Sequence, residues 1–452
     1  MFIGRQEELS YLEKIYNESR ELRTCSILGR RGVGKSTIIE KFCENKRNIS
    51  IQFVQESRVE NMNILHTALS EFLDEELERT DSLVDYFKKI GDICSIPGTV
   101  LVLDEFPYLI ETSPEAPSVL QWLIDTRIKH MDCMMIVCGS KTTVMRKETE
   151  DHSRPLYGRI DNRLLIKPLS LSECSEFHKG MNDRDLIRTY MTVGGIPRYH
   201  ERLREKKYED NIIRYYLQDI GSMSTEGPSF VRSQIDNSKL HLAVLSCIST
   251  GSVKQKDISE RLHVNHNQVK IALDELEMAN IVERQHPMMG APKKPIYQIS
   301  DNLVAFHYMV VNRVLPLFRG EPDKAYKAME QRLDTYMGHM FELVCRDYVV
   351  SHFTVSEIGK WWGKIDSEDA DIDIVAKIVD DDLFTRNLFC ECKFTKKPIG
   401  FETLNALRYR VDRLKVDNPV LMLFSAGGFE SDLREYAEEN GVILIGLEDL
   451  LS

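Results

Sequence analysis

The chain has 452 residues, 42% of them hydrophobic, with 59 Lys plus Arg against 71 Asp plus Glu. At about 150 residues per domain this implies about three cores that need no disulfides, while the net charge of −12 excludes a global positive field and leaves only local basic surface for nucleic acid. Ten cysteines without a CxxC pair exclude a disulfide framework and read as reduced, packed thiols of a cytoplasmic protein, and neither a signal-peptide core nor an apolar run near the ~18 residues of a membrane span is present.

The first apolar run, residues 24–29 (TCSILG), ends in glycine and passes into helical spacing, which predicts strand, loop and helix. TVLVL at 99–103 runs into Asp104 and Glu105, and MMIVC at 134–138 runs into Gly139 and Ser140. Continuous apolar strands separated by helical stretches predict a parallel sheet covered on both faces. From about Leu164 the pattern is helical and polar, with no strand expected to extend the sheet, so a helical lid is predicted. HLAVLSCIST, KQKDISERLH and HNQVKIALDELEMANIVE then predict three short helices, and GAPKKPIYQIS a turn and an alternating strand, together a winged helix. Pro316, Gly320 and Pro322 mark a boundary. Beyond it, helix, several strands and helix predict a second α/β unit.

Residues Gly29, Arg30, Arg31, Gly32, Val33, Gly34, Lys35 and Ser36 match GxxxxGK[ST] at every fixed position, between an apolar strand and a helix. Backbone N–H groups of such a loop curl around a β-phosphate, Lys35 supplies a cation to the β- and γ-phosphates, and Ser36 offers a hydroxyl to Mg²⁺. Thr37 continues the loop into the helix, whose positive end adds to the anion site. Asp104 and Glu105 follow a strand about 70 residues later, as the acids of a Walker B element do: Asp104 for the magnesium, Glu105 for the attacking water. ATP and Mg are the expected cofactors.

FIGRQEEL, GRRGVGKST, LVLDEFPYL, IVCGS, PLYGR and GGIPRYH occur in the order seen in the archaeal-type ATPase family, a branch of the AAA+/STAND class of P-loop NTPases, which the first 230 or so residues resemble. The resemblance implies that Ser140 is a sensor facing the γ-phosphate or lytic water, and that Gly195, Ile196 and Pro197 contact nucleotide from the lid, with Arg198 beside them. It places Arg5 near the base. Arg159 is the implied arginine finger, with Arg163 as second choice, and a finger acting in trans implies a homo-oligomer.

In the third short helix, His266, Asn267, Gln268 and Lys270 are of types that reach base edges or phosphates, and Lys293 and Lys294 lie in the wing. Seven Lys or Arg against six Asp or Glu over residues 251–300 is a small excess for duplex binding, so DNA contact and protein packing both stand as readings.

Residues 366–373 read DSEDADID and enter a strand on which Asp371 and Asp373 share a face by the two-residue period. In LFCECKF, Glu391 and Lys393 share one face while Cys390 and Cys392 point the other way. Asp followed by Glu-x-Lys is the PD-(D/E)xK pattern, in which two carboxylates bind Mg²⁺ and the lysine positions water or neutralises developing charge. Upstream, MGHMFELVCRDYV is an amphipathic helix bearing Glu342. From about Tyr336, including GKWWG and DIDIVA, the chain is similar to a domain of unknown function often fused to archaeal-type ATPases and thought to be restriction-endonuclease-like. The resemblance implies Glu342, Asp373 and Glu391 as metal ligands and Glu391 and Lys393 as catalytic.

The expected architecture is α/β: a P-loop NTPase core with a parallel sheet (1–165), a helical lid (166–235), a winged helix (236–315) and a restriction-endonuclease-like domain (316–452). Glu105, Ser140 and Arg159 are its expected ATPase residues and DNA its expected macromolecular partner, with no membrane. The expected function is an ATPase whose nucleotide state controls a Mg-dependent nuclease-like domain. The alternative is a STAND-like switch that binds DNA or protein through the winged helix and carries a non-catalytic C-terminal domain. A small-molecule kinase would leave the C-terminal residues unexplained.

Overall fold

The computed structural model describes residues 2–18, 21–218, 223–289, 294–379 and 384–451; Lys293 therefore lies outside the described residues. The chain divides into two compact units. The first comprises residues 1–169 and Ile196–Arg198, the second residues 170–195 and 199–452.

The first unit is built on strands β1 (Leu22–Leu28), β2 (Asn48–Gln52), β3 (Thr99–Asp104), β4 (Cys133–Gly139) and β5 (Asn162–Leu165), in the order β2-β3-β4-β1-β5. Every pairing is parallel. β3 and β4 are buried along their whole length, as apolar runs covered by helices on both faces must be. β5 departs from expectation. Its four residues NRLL alternate half-buried and exposed, so the strand carries too short a period to be read, yet it pairs with β1 and extends the sheet by one edge strand. The register sets Leu28 beside Gly139 and Leu103 beside Val137. The C-terminal ends of β1, β4 and β3 thus lie side by side, where parallel α/β sheets bind ligands.

In the second unit the expected lid is a run of short helices, among them Leu171–Ser175, Asp183–Val193 and Glu226–Gln234. Helices Lys239–Ile248, Gln255–Leu262 and His266–Met278 follow, then an antiparallel pair of β6 (Val282–Gln285) and β7 (Ile296–Ile299). A 31-residue helix, Pro322–His352, begins with Pro322 in its first turn, where the missing N–H has no intrahelical role. It leads into β8 (Thr354–Ile365), β9 (Glu368–Val379) and β10 (Thr385–Lys393), antiparallel neighbours. Parallel strands β11 (Val420–Ser425) and β12 (Ile443–Ile445) continue the sheet beyond β10. Trp361, Ile372, Val375, Phe389 and Leu423 pack against Leu404, Leu407 and Leu433 of helices Phe401–Leu414 and Ser431–Asn440. All ten cysteines are free and buried. Among the described residues no helix is long and apolar enough to cross a membrane.

Candidate nucleotide site and C-terminal cleft

The loop from β1 to helix Lys35–Cys43 turns on Gly32 and Gly34, whose φ values of 82° and 100° lie where a side chain is strained. Gly32 also leaves room for the Arg198 side chain: a Cβ there would stand 3.1 Å from the Cβ of Arg198 and 3.4 Å from Ile196 Cγ2. Val33 is buried, and its carbonyl accepts a hydrogen bond from Arg5 Nη2 at 3.2 Å while Arg5 Nη1 pairs with Glu8 at 2.9 Å. The N-terminal FIGRQEEL box is thereby fastened to the loop.

Lys35, 5% exposed, donates from Nζ to the carbonyls of Gly29 at 2.8 Å and Arg30 at 3.3 Å. Ser36 Oγ donates to Asp104 Oδ2 at 2.8 Å, and Asp104 Oδ1 accepts from the Glu105 N–H at 2.9 Å. Glu105 has a left-handed backbone (φ 52°), a conformation that L-residues adopt at a cost. Its Oε2 accepts from both the N–H and Oγ of Ser140, at 2.9 and 2.8 Å. β4, lying between β1 and β3, is what carries Ser140 to this position. Gly139 is equally constrained, since a Cβ would meet Pro107 Cδ at 2.6 Å.

Ser36, Asp104, Glu105 and Ser140 are therefore joined by hydrogen bonds along one edge of the sheet, beside the loop that Lys35 braces, and Arg198 adjoins it through the Gly32 contact. Pro197 opens the short helix Pro197–His200. Arg31 and Thr37 are exposed and Arg30 is half-buried. Arg159 is engaged elsewhere. Its Nε and Nη2 grip Asp125 at 3.0 and 2.8 Å, and the guanidinium holds that carboxyl below its usual range. Arg163 pairs with Glu150 at 3.2 Å. Sequence reasoning missed Lys141, which is buried and paired with Glu111; its signal was its place directly after Ser140. The donor set of Ser36 and Asp104, a hydroxyl and a carboxylate aimed at each other, fits a magnesium ion.

In the second unit, Glu342, Asp373 and Lys393 line a cleft of about 540 Å³, with Arg184, Asp334 and Lys396. Opposite β9, the pairing shifts between Gly359–Val375 and Trp361–Ile372, so that Lys360 alone faces Asp373 and Ile374. The extra residue of this β-bulge is on β9, at Asp373 and Ile374, so the irregular pairing stands at the cleft, as bulges beside functional sites do. Lys360 Nζ lies 2.9 Å from Glu342, 3.5 Å from Asp371 and 3.8 Å from Asp373. Burial alone would lower the Lys360 pKa, but Glu342 and Asp373 outweigh it and raise it. Burial pushes Asp373 up to about 7, aided by Glu342 and Glu391 and opposed by the Cys392 N–H and Lys360. Glu391, 5% exposed, is held by Lys393 and by Arg410, each at 2.7 Å.

The expected metal set of Glu342, Asp373 and Glu391 is not assembled: among the described residues no three His, Cys, Asp or Glu stand where they could hold a metal ion. Each of these carboxylates already carries a cation of this chain: Lys360 stands between Glu342 and Asp373, and Lys393 and Arg410 hold Glu391. A divalent ion does not fit between Glu342 and Asp373 unless Lys360 leaves. Lys360 and Arg410 were not foreseen. Lys360 stands in GKWWG before a bulge that period-two reasoning cannot register, and Arg410 comes from a helix beyond Lys393.

On helix His266–Met278, residues His266, Asn267, Gln268 and Lys270 are exposed, as is Lys294 after β6. Ile271 and Met278 are exposed too, at 57% and 54%, while Glu275 pairs with His241 at 2.6 Å and Asp274 with Arg284 at 2.6 Å.

Residues 2–203 match the family described as an ATPase domain predominantly from Archaea. Residues 306–405 match a family of archaeal and bacterial proteins of unknown function. An uncharacterized protein of Methanocaldococcus jannaschii is 26% identical over 415 residues, spanning 87% of this chain and 88% of its own. An uncharacterized ATP-binding protein of the same organism is 47% identical over 47 residues, 10% of this chain and 78% of its own. In fold, the chain is similar to the Walker-type ATPase of Pyrococcus abyssi: the match covers 68% of this chain and 96% of that one, with a TM-score of 0.54 and 19% identity. A phosphate loop, its acids and a parallel sheet that brings them together thus agree with the match of residues 2–203 to the ATPase domain found predominantly in Archaea.

Proposed function

We propose that the protein is an ATP-hydrolysing switch whose nucleotide state sets the behaviour of its C-terminal domain. The observation that carries this reading is the bonded series Ser36, Asp104, Glu105 and Ser140 beside a buried Lys35. With ATP in the loop, Lys35 exchanges its two carbonyl partners for β- and γ-phosphate oxygens, a charge-assisted bond in place of neutral ones. Ser36 and Asp104 would hold Mg²⁺, which neutralises charge on the transferring phosphoryl group. Glu105 orients the lytic water, and Ser140, by holding Oε2, fixes where that carboxylate points. Arg159 acts in trans only after it leaves Asp125, so an oligomer would need a competing cation for Asp125 or a stronger anion for Arg159.

For the C-terminal domain, the succession of helix, three antiparallel strands, helix and parallel strand supports a restriction-endonuclease-like fold, and Glu391 and Lys393 on β10 support a nuclease site. The cations already seated on each carboxylate favour the second reading, a domain that binds phosphate-bearing ligands without cutting them. The three helices and the β6–β7 pair support a winged helix. Its exposed Ile271 and Met278 favour a protein partner over DNA, since apolar side chains on a reading helix lose more by hydration than they gain from phosphates.

The test is ATP hydrolysis by wild type, Lys35→Ala and Glu105→Gln, with cleavage of single-stranded, duplex and branched DNA measured in Mg²⁺ or Mn²⁺ with and without ATP. Hydrolysis lost in both variants supports the ATPase assignment; hydrolysis that survives Lys35→Ala refutes it. Cleavage that disappears in Lys393→Ala establishes the nuclease, and no cleavage under any condition leaves the binding domain.

A further inference from the structure

The cleft at Lys393 is walled by a residue from the lid. Arg184, on helix Asp183–Val193, donates from Nη1 to the Thr395 carbonyl at 2.9 Å and, at 3.4 Å, to that of Ala426. Its guanidinium lies 4.4 Å from the centre of the Phe394 ring, which in turn packs at 5.1 Å on Phe341, the neighbour of Glu342. Ala426 donates its N–H to the Lys393 carbonyl at 2.9 Å. One cation therefore fastens both segments that flank Lys393, and the aromatic pair beneath it reaches the helix bearing Glu342. A guanidinium suits this task because a single nitrogen, Nη1, can donate to two carbonyls while the planar face stacks on a ring.

The other end of the same helix is held as firmly. Asn302 Nδ2 donates to the Met191 carbonyl at 3.0 Å and Tyr336 Oη donates to it at 2.7 Å. Gly194 follows at φ 65°, its missing Cβ facing Asn302 Oδ1 at 3.1 Å. Directly after Gly195 the chain enters Ile196–Arg198, the three residues that belong to the first unit and pack on Gly32 of the phosphate loop. An 11-residue helix, ~16 Å long, thus connects the phosphate-loop neighbours to the clamp on Lys393.

We propose that Arg184 is a positioning residue through which the lid sets Lys393: docked, it fixes the strand end and restricts the cleft, and nucleotide in the phosphate loop releases it by displacing Ile196–Arg198. The cleft as docked has the size of a small-ligand site, so a nucleic-acid strand enters only after release. The proposal rests on nucleotide control of the C-terminal domain, but not on cleavage.

Amide hydrogen exchange of the full chain tests it, in peptides covering residues 393–397 and 424–428, with and without a non-hydrolysable ATP analogue. The expected result is exchange at least tenfold faster with the analogue in wild type, and equally fast without it in Arg184→Ala. Arg184→Lys is expected between the two, and β3 peptides, which report an intact first unit, are expected unchanged. Lys35→Ala is expected to lose the response. Unchanged exchange in nucleotide-free Arg184→Ala overturns the clamp, whatever nucleotide does. If Arg184→Ala exchanges faster but wild type ignores the analogue, nucleotide control fails and the regulatory role of Arg184 falls with it, while the contact itself is vindicated.

Discussion

Replacing Lys360 by alanine removes the cation that Glu342, Asp371 and Asp373 share. Taking one partner from a buried ion pair costs ~3–5 kcal/mol, because the other charge is left uncompensated. Lys360 and Glu342 are each 21% exposed, so water reaches the gap and the lower end, about 3 kcal/mol, is appropriate. At ~2–4 °C per kcal/mol for a body of this size, the unfolding transition of the second unit falls by roughly 6–12 °C. The vacated position then offers Glu342 and Asp373 to a divalent ion. Manganese added a hundredfold above its dissociation constant returns about 2.7 kcal/mol, nearly the whole loss. Thermal unfolding of the nucleotide-free chain, followed with and without Mn²⁺, measures both effects. Lys360→Ala is expected to recover in manganese, whereas wild type does not respond and Lys360→Ala with Asp373→Asn does not recover. If wild type gains as much from manganese as the variant, and Asp373→Asn abolishes that gain, Lys360 is not the resident cation of the site and the reasoning fails.

Glu105→Gln is expected to keep ATP binding but lower kcat by ~10²–10⁴, the usual contribution of a positioned base, measurable by phosphate release beside equilibrium nucleotide binding. Gly139→Ala drives a methyl group into Pro107 and Met145, at a cost of about 1–3 kcal/mol; denaturant unfolding and ATP turnover should both decline. His200 Nε2, 2.7 Å from the Gly194 carbonyl, must donate there, so His200 Nδ1 accepts from His178 at 2.8 Å. Burial lowers His178 to about 4 and His200 to about 3, the latter helped by His178. An unfolded histidine titrates near 6.5, so below that pH the unfolded chain takes up protons the folded chain refuses. Stability is full above about pH 6.5 and falls toward pH 4, on the order of 3 kcal/mol for His178. Urea midpoints between pH 7.5 and 4.5 should decline less in His178→Gln.

The candidate nucleotide site was legible because its residues are contiguous: eight residues carry the loop, and the strands before Asp104 and Ser140 announce themselves as unbroken apolar runs. Sequence spacing also matched the helix and strands of the C-terminal domain. What it did not carry was the neutralisation of its carboxylates. A bulge sets Lys360 against Asp373, and strand periodicity, which assumes one residue opposite one, has no way to express that. Arg410 meets Glu391, and Arg159 meets Asp125, across packed elements far apart in the chain. Long-range ion pairs leave no local pattern, since any of 59 cations could face any of 71 acids. Strand β5 escaped for another reason. Two half-turned pairs of residues are too few to separate a strand from a loop, and only its pairing with β1 defines it.

The excursion of Ile196–Arg198 into the first unit has a practical corollary for cutting the molecule apart. The polypeptide passes from one unit to the other after Leu169, after Gly195 and after Arg198, so neither unit is a single stretch of chain. A fragment ending at Leu169 would present Gly32 without the Arg198 side chain that packs on it, and a fragment beginning at Ser170 would carry three residues bereft of their seat. The two halves are spliced rather than strung together. A gene rearrangement that exchanged the C-terminal domain for another could not use the boundary at residue 169 without rebuilding the floor of the phosphate loop, whereas a junction beyond Arg198 would carry that floor along with it.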